Sequence, residues 1–286
     1  MNYRHHYHAG NFADVMKHVF LVAIVRALQE KPKGLLLLDT HAGRGDYDLA
    51  AAAAGDSRPR QPEHPLGIGL LAARAEAPGE AAPPPAVREY LRLVRAHAPG
   101  GERYPGSPQL LARLARPQDR LFLCELQPDE FAALRRGLGR RPQVSVQPVD
   151  GYTSLRSVLP PPERRGMILI DPPFEALEEW QRLRDALTQG VNRFPSGTFV
   201  IWHPVTARAD ADRLGDDLAA QPGPPAWSCR LLVAPEAEGM RGCGLIIINP
   251  PWTFMPEAPQ ILKALGRLLR RNQLGETQSR WLRRES

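Results

Sequence analysis

The chain has 286 residues, 43% of them hydrophobic, which is enough to bury a full core as one large domain or as one domain with an insertion. Its net charge of +6 is compatible with a polyanionic partner but does not require one. The sequence has no apolar run of transmembrane length, no signal-like N-terminus and no metal-spaced cysteines, so a cytoplasmic protein without a membrane contact is predicted.

The first predicted element is a helix over residues 12–28, with valines near helical spacing and Asn11 as its N-cap. Asp14, Lys17 and His18 interrupt this apolar helix three or four residues apart, so they share one of its sides. A solvated helix face is the simplest interpretation of these three residues, and a functional cluster is the alternative.

Four histidines near the N-terminus raise the question of a zinc site. They have no cysteine or carboxylate partner at ligand spacing, so we predict no metal. The histidines are His5, His6, His8 and His18.

A buried strand is predicted at residues 35–39, ending in Asp39 and followed by a glycine turn. Gly43 and Gly45 let the backbone approach a ligand closely, while Asp39 can hold a cationic or hydroxyl group. In a dinucleotide-binding fold a second acid follows about 20 residues later. Here the next strand that ends in an acid stops at Glu125, so a segment has been inserted between the two strands.

The inserted segment is visible in its composition. Residues 56–85 are rich in proline, glycine, alanine and arginine, and residues 86–97 have helical periodicity. The predicted divisions of the chain are a motif helix and first strand (1–46), a small inserted helical subdomain (47–103) and the remainder of the main domain (104–286).

After the insertion, strands and helices alternate regularly, as in a doubly wound α/β sheet. Ser107 leads into a crossover helix near residues 110–116, where it serves as N-cap or as a ligand contact. Asp150 and Gly151 are predicted to form a turn at a strand end. Strands are predicted at 144–147, 167–170, 198–202, 230–233 and 245–248, helices at 129–138, 176–189, 209–220 and 260–271, and a partly solvated arginine-rich tail after them.

The strongest functional signal is the loop Asp171-Pro172-Pro173-Phe174, which follows a short apolar strand. Ligands of open α/β sheets bind at the carboxyl ends of strands, and two prolines stiffen the loop while its carbonyls stay free. The Asp171 carboxylate and a proline carbonyl can accept both hydrogens of an exocyclic amine while Phe174 stacks on the ring. A similar motif, Asn249-Pro250-Pro251-Trp252, follows the last strand and is predicted to be structural.

Four predicted strands end in an acid, namely Asp39, Glu125, Asp150 and Asp171. A nicotinamide dehydrogenase would need one such acid and would leave the Asp-Pro-Pro loop without a task. S-adenosylmethionine carries an amino acid, a ribose and an adenine, so it would use three acids, and the fourth would face a substrate amine. Because the lone pair of adenine N6 is delocalised, acceptors on its hydrogens favour attack on the sulfonium methyl, and alignment supplies most of the rate.

Several motifs converge on one family. They are Tyr3-Arg4-His5-x-x-His8-Ala9-Gly10-Asn11-x-Ala13-Asp14-Val15-x-Lys17-His18, Asp39-Thr40-His41-Ala42-Gly43, Tyr104-Pro105-Gly106-Ser107 and Asp171-Pro172-Pro173. In this set the chain resembles the RlmJ family of bacterial 23S ribosomal RNA adenine-N6 methyltransferases. The resemblance covers most of the chain apart from the insertion and the tail. It implies a Rossmann-like, class I S-adenosylmethionine-dependent methyltransferase fold with a seven-stranded sheet whose last strand is antiparallel, and the adenine at position 2030 as target.

The resemblance also implies roles for particular residues. Asp171, with Pro172 and Phe174, forms the catalytic group, although the family usually has tyrosine in place of Phe174. The implied substrate-binding residues are Tyr3, Arg4, Lys17 and Phe174. With the strand-end pattern, the implied cofactor-binding residues are His18, Asp39, His41, Gly43, Ser107, Glu125, Asp150, Gly151 and Asp171.

The expected partner is 23S ribosomal RNA, and the expected state is a monomer. The same fold could instead methylate DNA adenine or a glutamine side chain, which the N-terminal motif disfavours. A non-catalytic RNA-binding protein that retains the fold is a further alternative. It is disfavoured because a binding module needs none of Asp39, Glu125 and Asp171.

Overall fold

The computed structural model describes residues 7–50, 61–176, 178–206, 210–234 and 240–284. Within these ranges the strands are β1 (Leu36–Asp39), β2 (Asp46–Asp48), β3 (Arg103–Pro105), β4 (Arg120–Cys124), β5 (Val144–Gln147), β6 (Gly166–Ile170), β7 (Thr198–Val205), β8 (Ala226–Leu232), β9 (Gly242–Ile248) and β10 (Glu276–Arg283). The α-helices are α1 (Phe12–Gln29), α2 (Ile68–Ala75), α3 (Pro85–His97), α4 (Ser107–Leu114), α5 (Pro128–Leu138), α6 (Gly151–Val158), α7 (Glu179–Arg193), α8 (Asp210–Ala220) and α9 (Ala258–Leu269).

Eight of the described strands form one sheet, in the order β10-β8-β9-β7-β6-β1-β4-β5. From β5 to β7 every neighbouring pair is parallel, whereas β9 runs antiparallel to both β7 and β8. This is the predicted α/β sheet, in which β9, the seventh strand of the sheet in chain order, is reversed. The carboxyl ends of the parallel strands therefore meet at one side, which we term the carboxyl edge, and the opposite side is the amino edge.

The prediction of seven strands is wrong by one strand. The arginine-rich tail is partly solvated, as expected, but Glu276–Arg283 also forms the edge strand β10, antiparallel to β8. Trp281 and Leu282 anchor it, because the former packs against the core on one face of the sheet and the latter against the core on the other. The surrounding arginines obscure these two apolar anchors in the composition.

The central strands are continuous apolar runs because both of their faces are buried. In and next to β1, Leu35 and Leu37 belong to the core on one face, and Leu36 and Leu38 to the core on the other. Helix α1 packs into the first of these cores. The predicted N-cap of α1 is confirmed, since the side chain of Asn11 accepts hydrogen bonds from the backbone of Ala13 and Asp14, both at 2.9 Å.

The inserted segment contains α2 and α3, and the antiparallel pair β2 and β3 joins its two ends, with Asp46 opposite Pro105. Its helix α3 packs against α1, and α2 packs against α9. The sequence prediction missed one helix elsewhere in the chain. Only a turn was expected at its start, but Gly151–Val158 forms helix α6.

The second Pro-Pro-aromatic motif lies far from the Asp171 loop in the sheet. Because β9 is antiparallel, its end at Ile248 pairs with Phe199 near the start of β7, so Asn249 and the following residues lie at the amino edge. Thr198 donates a hydrogen bond to the Asn249 carbonyl at 2.9 Å, while Trp252 is 79% exposed. Among the helices described above, none combines the length and apolar content needed to cross a membrane.

Candidate active site at the carboxyl edge of the sheet

Asp171 is the first residue after β6, at the centre of the carboxyl edge. Its side chain is 17% exposed, and its Oδ2 accepts a hydrogen bond from Lys17 Nζ at 2.5 Å. The two residues are 154 positions apart in the chain, so α1 and the Asp-Pro-Pro loop build this part of the site together.

Lys17 is buried between two carboxylates. Its Nζ also donates to Asp14 Oδ1 at 2.8 Å, and Asp14 Oδ2 accepts from the backbone nitrogen of Gly10 at 3.0 Å. Burial alone would lower the pKa of Lys17, but the attraction of Asp14 and Asp171 outweighs it, so the pKa stands well above its ordinary value. The lysine is therefore a charged group that holds the Asp171 carboxylate in place.

The interpretation of Asp14, Lys17 and His18 as a solvated helix face is wrong. All three side chains are buried, because this side of α1 faces the carboxyl edge and the insertion instead of solvent. His18 Nδ1 lies 2.7 Å from the hydroxyl oxygen of Tyr104. That oxygen lies 2.9 Å from the hydroxyl oxygen of Tyr90 in α3. A buried polar chain thus links the insertion to the helix that carries Lys17.

Asp39, at the end of β1, is fully buried. Ser107 donates to its Oδ2 at 2.6 Å, and the backbone nitrogen of His41 donates to its Oδ1 at 3.2 Å. Burial raises the pKa of Asp39 to about 6, although the bond from Ser107 opposes the shift. The capping role predicted for Ser107 is wrong, since Gly106 is the N-cap of α4 and the serine is already inside the helix.

His41 stands beside Asp39 with a defined proton arrangement. The Thr40 hydroxyl donates to the Leu169 carbonyl at 3.0 Å, so it accepts from His41 Nδ1, 2.8 Å away. Burial lowers the pKa of His41. The ring is therefore neutral near pH 7, with Nε2 as a possible acceptor, and its position is set by an edge contact with Tyr152 at 5.1 Å between ring centres.

Glu125 and the glycine turn after β1 form one unit. The Glu125 carboxylate accepts from the backbone nitrogens of Gly43 at 2.8 Å and Gln127 at 2.7 Å. Gly43 has a φ of +61°, which favours glycine, and burial raises the pKa of Glu125 above its ordinary value. A carboxylate has about four lone-pair sites, so Glu125 retains capacity for a ligand hydroxyl.

Asp150 caps α6 and pairs across to α7. Its side chain accepts from the backbone nitrogen of Thr153 at 2.8 Å and from Arg182 at 2.6 Å. Burial opposes the shift, but these bonds lower the pKa of Asp150. Gly151 must be glycine for close packing, because a Cβ there would lie 2.0 Å from the Thr40 carbonyl oxygen.

Two apolar side chains at this edge escaped the sequence prediction. Leu126 follows Glu125 and is 61% exposed, and Val149 precedes Asp150 and is 37% exposed. Because β4 and β5 are neighbours, both project near the same acids at the carboxyl edge. In the sequence, the signal for these site residues was an apolar residue next to a strand-end acid. A single leucine or valine after a strand is weak evidence for a ligand site.

Phe174 belongs to an aromatic cluster. Its ring centre lies 4.5 Å from that of Trp180 and 6.0 Å from that of Trp202. Its φ of +51° is unusual for a residue other than glycine, so the packing of the loop imposes it. The sequence did not predict the two tryptophans as neighbours of this ring.

The structure brings together most of the predicted site residues at the carboxyl edge, but not all can be placed. Tyr3 and Arg4 lie outside the described residues. Within the described part of the chain, no group of three histidine, cysteine or acidic side chains is arranged to hold a metal ion.

A mostly parallel sheet with a reversed seventh strand, four strand-end acids and an Asp-Pro-Pro loop at the carboxyl edge defines a class I methyltransferase. The family model described as "Ribosomal RNA large subunit methyltransferase D, RlmJ" matches residues 32–283. The chain belongs to this family, as its motifs predicted.

Individual relatives agree with the family match. The chain is 34% identical to ribosomal RNA large subunit methyltransferase J of Haemophilus influenzae over 99% of each chain. It is 36% identical to the protein of the same name from Escherichia coli K12, over 92% of this chain and 91% of that one. A crystal structure of a Legionella pneumophila protein, 34% identical, has a TM-score of 0.84 and covers 96% of this chain and 98% of its own.

Proposed function

We propose that this protein acts in the cytoplasm and transfers a methyl group from S-adenosylmethionine to the N6 amino group of one adenine, at position 2030 of 23S ribosomal RNA. The observation that carries the proposal is the Asp171 carboxylate at the carboxyl edge, followed by two prolines and an aromatic ring and held through one oxygen by buried Lys17. Family membership supports the reaction class.

The residues of the carboxyl edge fit S-adenosylmethionine by their chemistry. Glu125 has acceptor capacity for ribose hydroxyls, and the turn at Gly43 brings backbone close to the same place. Leu126 and Val149 are exposed apolar groups that the protein core does not use, and they would cover a flat purine ring. When bound, S-adenosylmethionine supplies an electrophilic methyl group on a sulfonium.

Two further predicted cofactor residues, Asp39 and Asp150, act through the shape of the site. Asp39 holds Ser107 and the backbone of His41, so it sets the form of the β1 turn. Asp150 is engaged by Thr153 and Arg182, and it fixes the start of α6 beside that turn. We infer that these groups order the walls of the cofactor site, with His41 Nε2 as a direct acceptor.

Asp171 and Pro172 would hold the target amine. Lys17 occupies Asp171 Oδ2, which leaves Oδ1 to accept one N6 hydrogen while the Pro172 carbonyl accepts the other. Acceptors on both hydrogens direct the nitrogen lone pair out of the ring system and toward the methyl group. S-adenosylmethionine would supply the methyl group to N6, and Asp171 would accept the proton that N6 loses.

Phe174 would provide the stacking surface for the adenine. Stacking on an aromatic ring contributes about 1–3 kcal/mol per base, and no hydroxyl is needed for it. Trp180 and Trp202 support the ring from the protein side, so the loop keeps its unusual backbone conformation.

The test is transfer of labelled methyl to deproteinised 23S rRNA from a strain that lacks the modification, followed by mapping of the labelled nucleotide. Asp171→Ala should abolish transfer while its affinity for S-adenosylmethionine changes less than roughly tenfold. Asp185→Ala, which removes an exposed acid of α7, is the matched control and should behave as wild type. Full activity of Asp171→Ala would refute the proposed site.

The remaining outcomes separate the alternatives. Label on DNA and none on RNA would favour DNA adenine methylation. Cofactor-independent RNA binding without any transfer would favour a non-catalytic RNA-binding protein.

A further inference from the structure

Cations gather at the amino edge of the sheet, opposite Asp171. Leu36 of β1 is level with Gly166 of β6 and with Arg120 of β4, so the loops before these strands emerge side by side, about 5 Å apart. The loop before β5 continues the series. In strand order these loops contain Arg164 and Arg165, Lys31 and Lys33, Arg116, and Arg140 and Arg141, which together we term the basic row.

Acids in the same loops neutralise less than half of this charge. Asp119 is buried and bound by Arg116 at 2.9 Å, and Glu163 pairs with Arg120, outside the row, at 2.8 Å. Glu30 is the exposed acid next to Lys31. The exposed side chains of Lys31, Lys33, Arg140 and Arg164 make no ion pair or hydrogen bond within the part of the chain that the structure describes.

Part of the basic row has a structural task. Arg116 donates to the carbonyls of Gln29, Lys31 and Lys33, each at 3.0 Å, and Arg165 donates to the Lys33 carbonyl at 3.0 Å. These bonds satisfy carbonyls at and after the end of α1 and hold the loop in one conformation. They do not explain the exposed cations, although they hold the backbone that carries Lys31 and Lys33.

A cleft of about 480 Å³ adjoins the basic row beside β6. Proline rings from residues 160–162 and Pro195 form its walls, and Arg164 and Arg193 lie at its border. Arg193 is held by a bond to the Leu159 carbonyl at 2.9 Å. Apolar ring surfaces beside guanidinium groups suit a nucleotide, whose base or sugar packs on the rings while its phosphate meets the cation.

We propose that the basic row and this cleft form a second RNA-docking surface, which binds phosphates of the ribosomal RNA outside the target adenine. The proposal rests on the proposed function for the identity of the RNA. The loops of the row contain no exposed large apolar side chain that a membrane or a protein interface would bury. Phosphate contacts add affinity and fix orientation, whereas the carboxyl edge acts on the base.

The test compares two fourfold variants with the same loss of charge. The row variant carries Lys31→Gln, Lys33→Gln, Arg140→Gln and Arg164→Gln. The control carries Arg92→Gln, Arg95→Gln, Arg213→Gln and Arg280→Gln, which are exposed arginines with acidic partners elsewhere on the surface. Dissociation constants for deproteinised 23S rRNA are measured against KCl concentration, after thermal unfolding has shown that both variants are folded.

The row variant should bind the RNA at least about tenfold more weakly near 0.1 M salt, and its slope of log affinity against log salt should be shallower by about 3. Methyl transfer to a short hairpin that carries the target adenine should stay within about twofold of wild type, because the hairpin does not reach the amino edge. Equal affinities and slopes for the two variants would overturn the proposal. Binding that depends on the row, in a protein that methylates no RNA, would support this surface and refute the proposed function instead.

Discussion

Replacing Lys17 by methionine gives the sharpest test of the buried charge cluster. The substitution keeps an unbranched side chain but leaves the Asp14 and Asp171 carboxylates without the ammonium that lies 2.8 and 2.5 Å from them. Removing one partner of a buried ion pair costs about 3–5 kcal/mol, because the remaining charge loses its compensation. For a chain of this size we expect a fall in melting temperature of roughly 10 °C.

A loss of stability alone would not separate folding from catalysis, so the assay includes Asp14→Asn alone and combined with Lys17→Met. The double variant removes one of the two uncompensated carboxylates, and it should regain stability with a coupling of at least about 1 kcal/mol in urea unfolding. The double variant should not transfer methyl, because Asp171 still lacks Lys17, which positions it. Lys17→Met with wild-type stability, or additive losses in the double variant, would show that the cluster does not hold the charges as described.

Three other outcomes follow from the site. Asp39→Asn should flatten the pH dependence of stability. Burial raises the native pKa of Asp39 to about 6 from an ordinary value of 3.8, so ionisation of this carboxyl destabilises the fold, and between pH 4 and 7 wild-type stability should fall by about 2 kcal/mol more than that of the variant, measured by urea titration. Gly151→Ala places a Cβ 2.0 Å from the Thr40 carbonyl oxygen, so it should destabilise by about 1–3 kcal/mol, and an unchanged unfolding midpoint would contradict this packing. Phe174→Leu should lower kcat/KM for RNA about 10- to 100-fold while Phe174→Tyr stays within a few-fold, and equal losses would show that stacking is not the role of this ring.

The strands that build the site could be predicted because a doubly covered parallel sheet buries both strand faces. Leu35–Leu38 and the run that ends at Ile170 are continuously apolar for this reason, so their ends, and the acids that follow, can be located from composition alone. Helix α6 could not be located in this way. It spans only eight residues, with Tyr152 and Leu155 as its buried apolar side chains, and Asp150 is equally compatible with a turn and with the N-cap that it forms.

Long-range pairing was beyond the sequence for a different reason. Asp14, Lys17 and His18 were placed on one side of α1 correctly, but local spacing cannot tell whether that side faces water or the end of a strand 154 residues away. The same holds for Trp180 and Trp202, which approach Phe174 from another helix and another strand. Burial of charged residues is the information that only the fold supplies.

The burial of Lys17 also decides what the N-terminal helix contributes to this family member. Without α1, Asp171 would lose its ammonium partner and the core on one face of the sheet would lose a helix. The positive charge on this buried side chain is stabilised by Asp14 and by Asp171, and both carboxylates lose this compensation when the lysine is removed. Helix α1 and the Asp-Pro-Pro loop are therefore one electrostatic unit, and the proposed catalytic carboxylate depends on a residue 154 positions earlier in the chain.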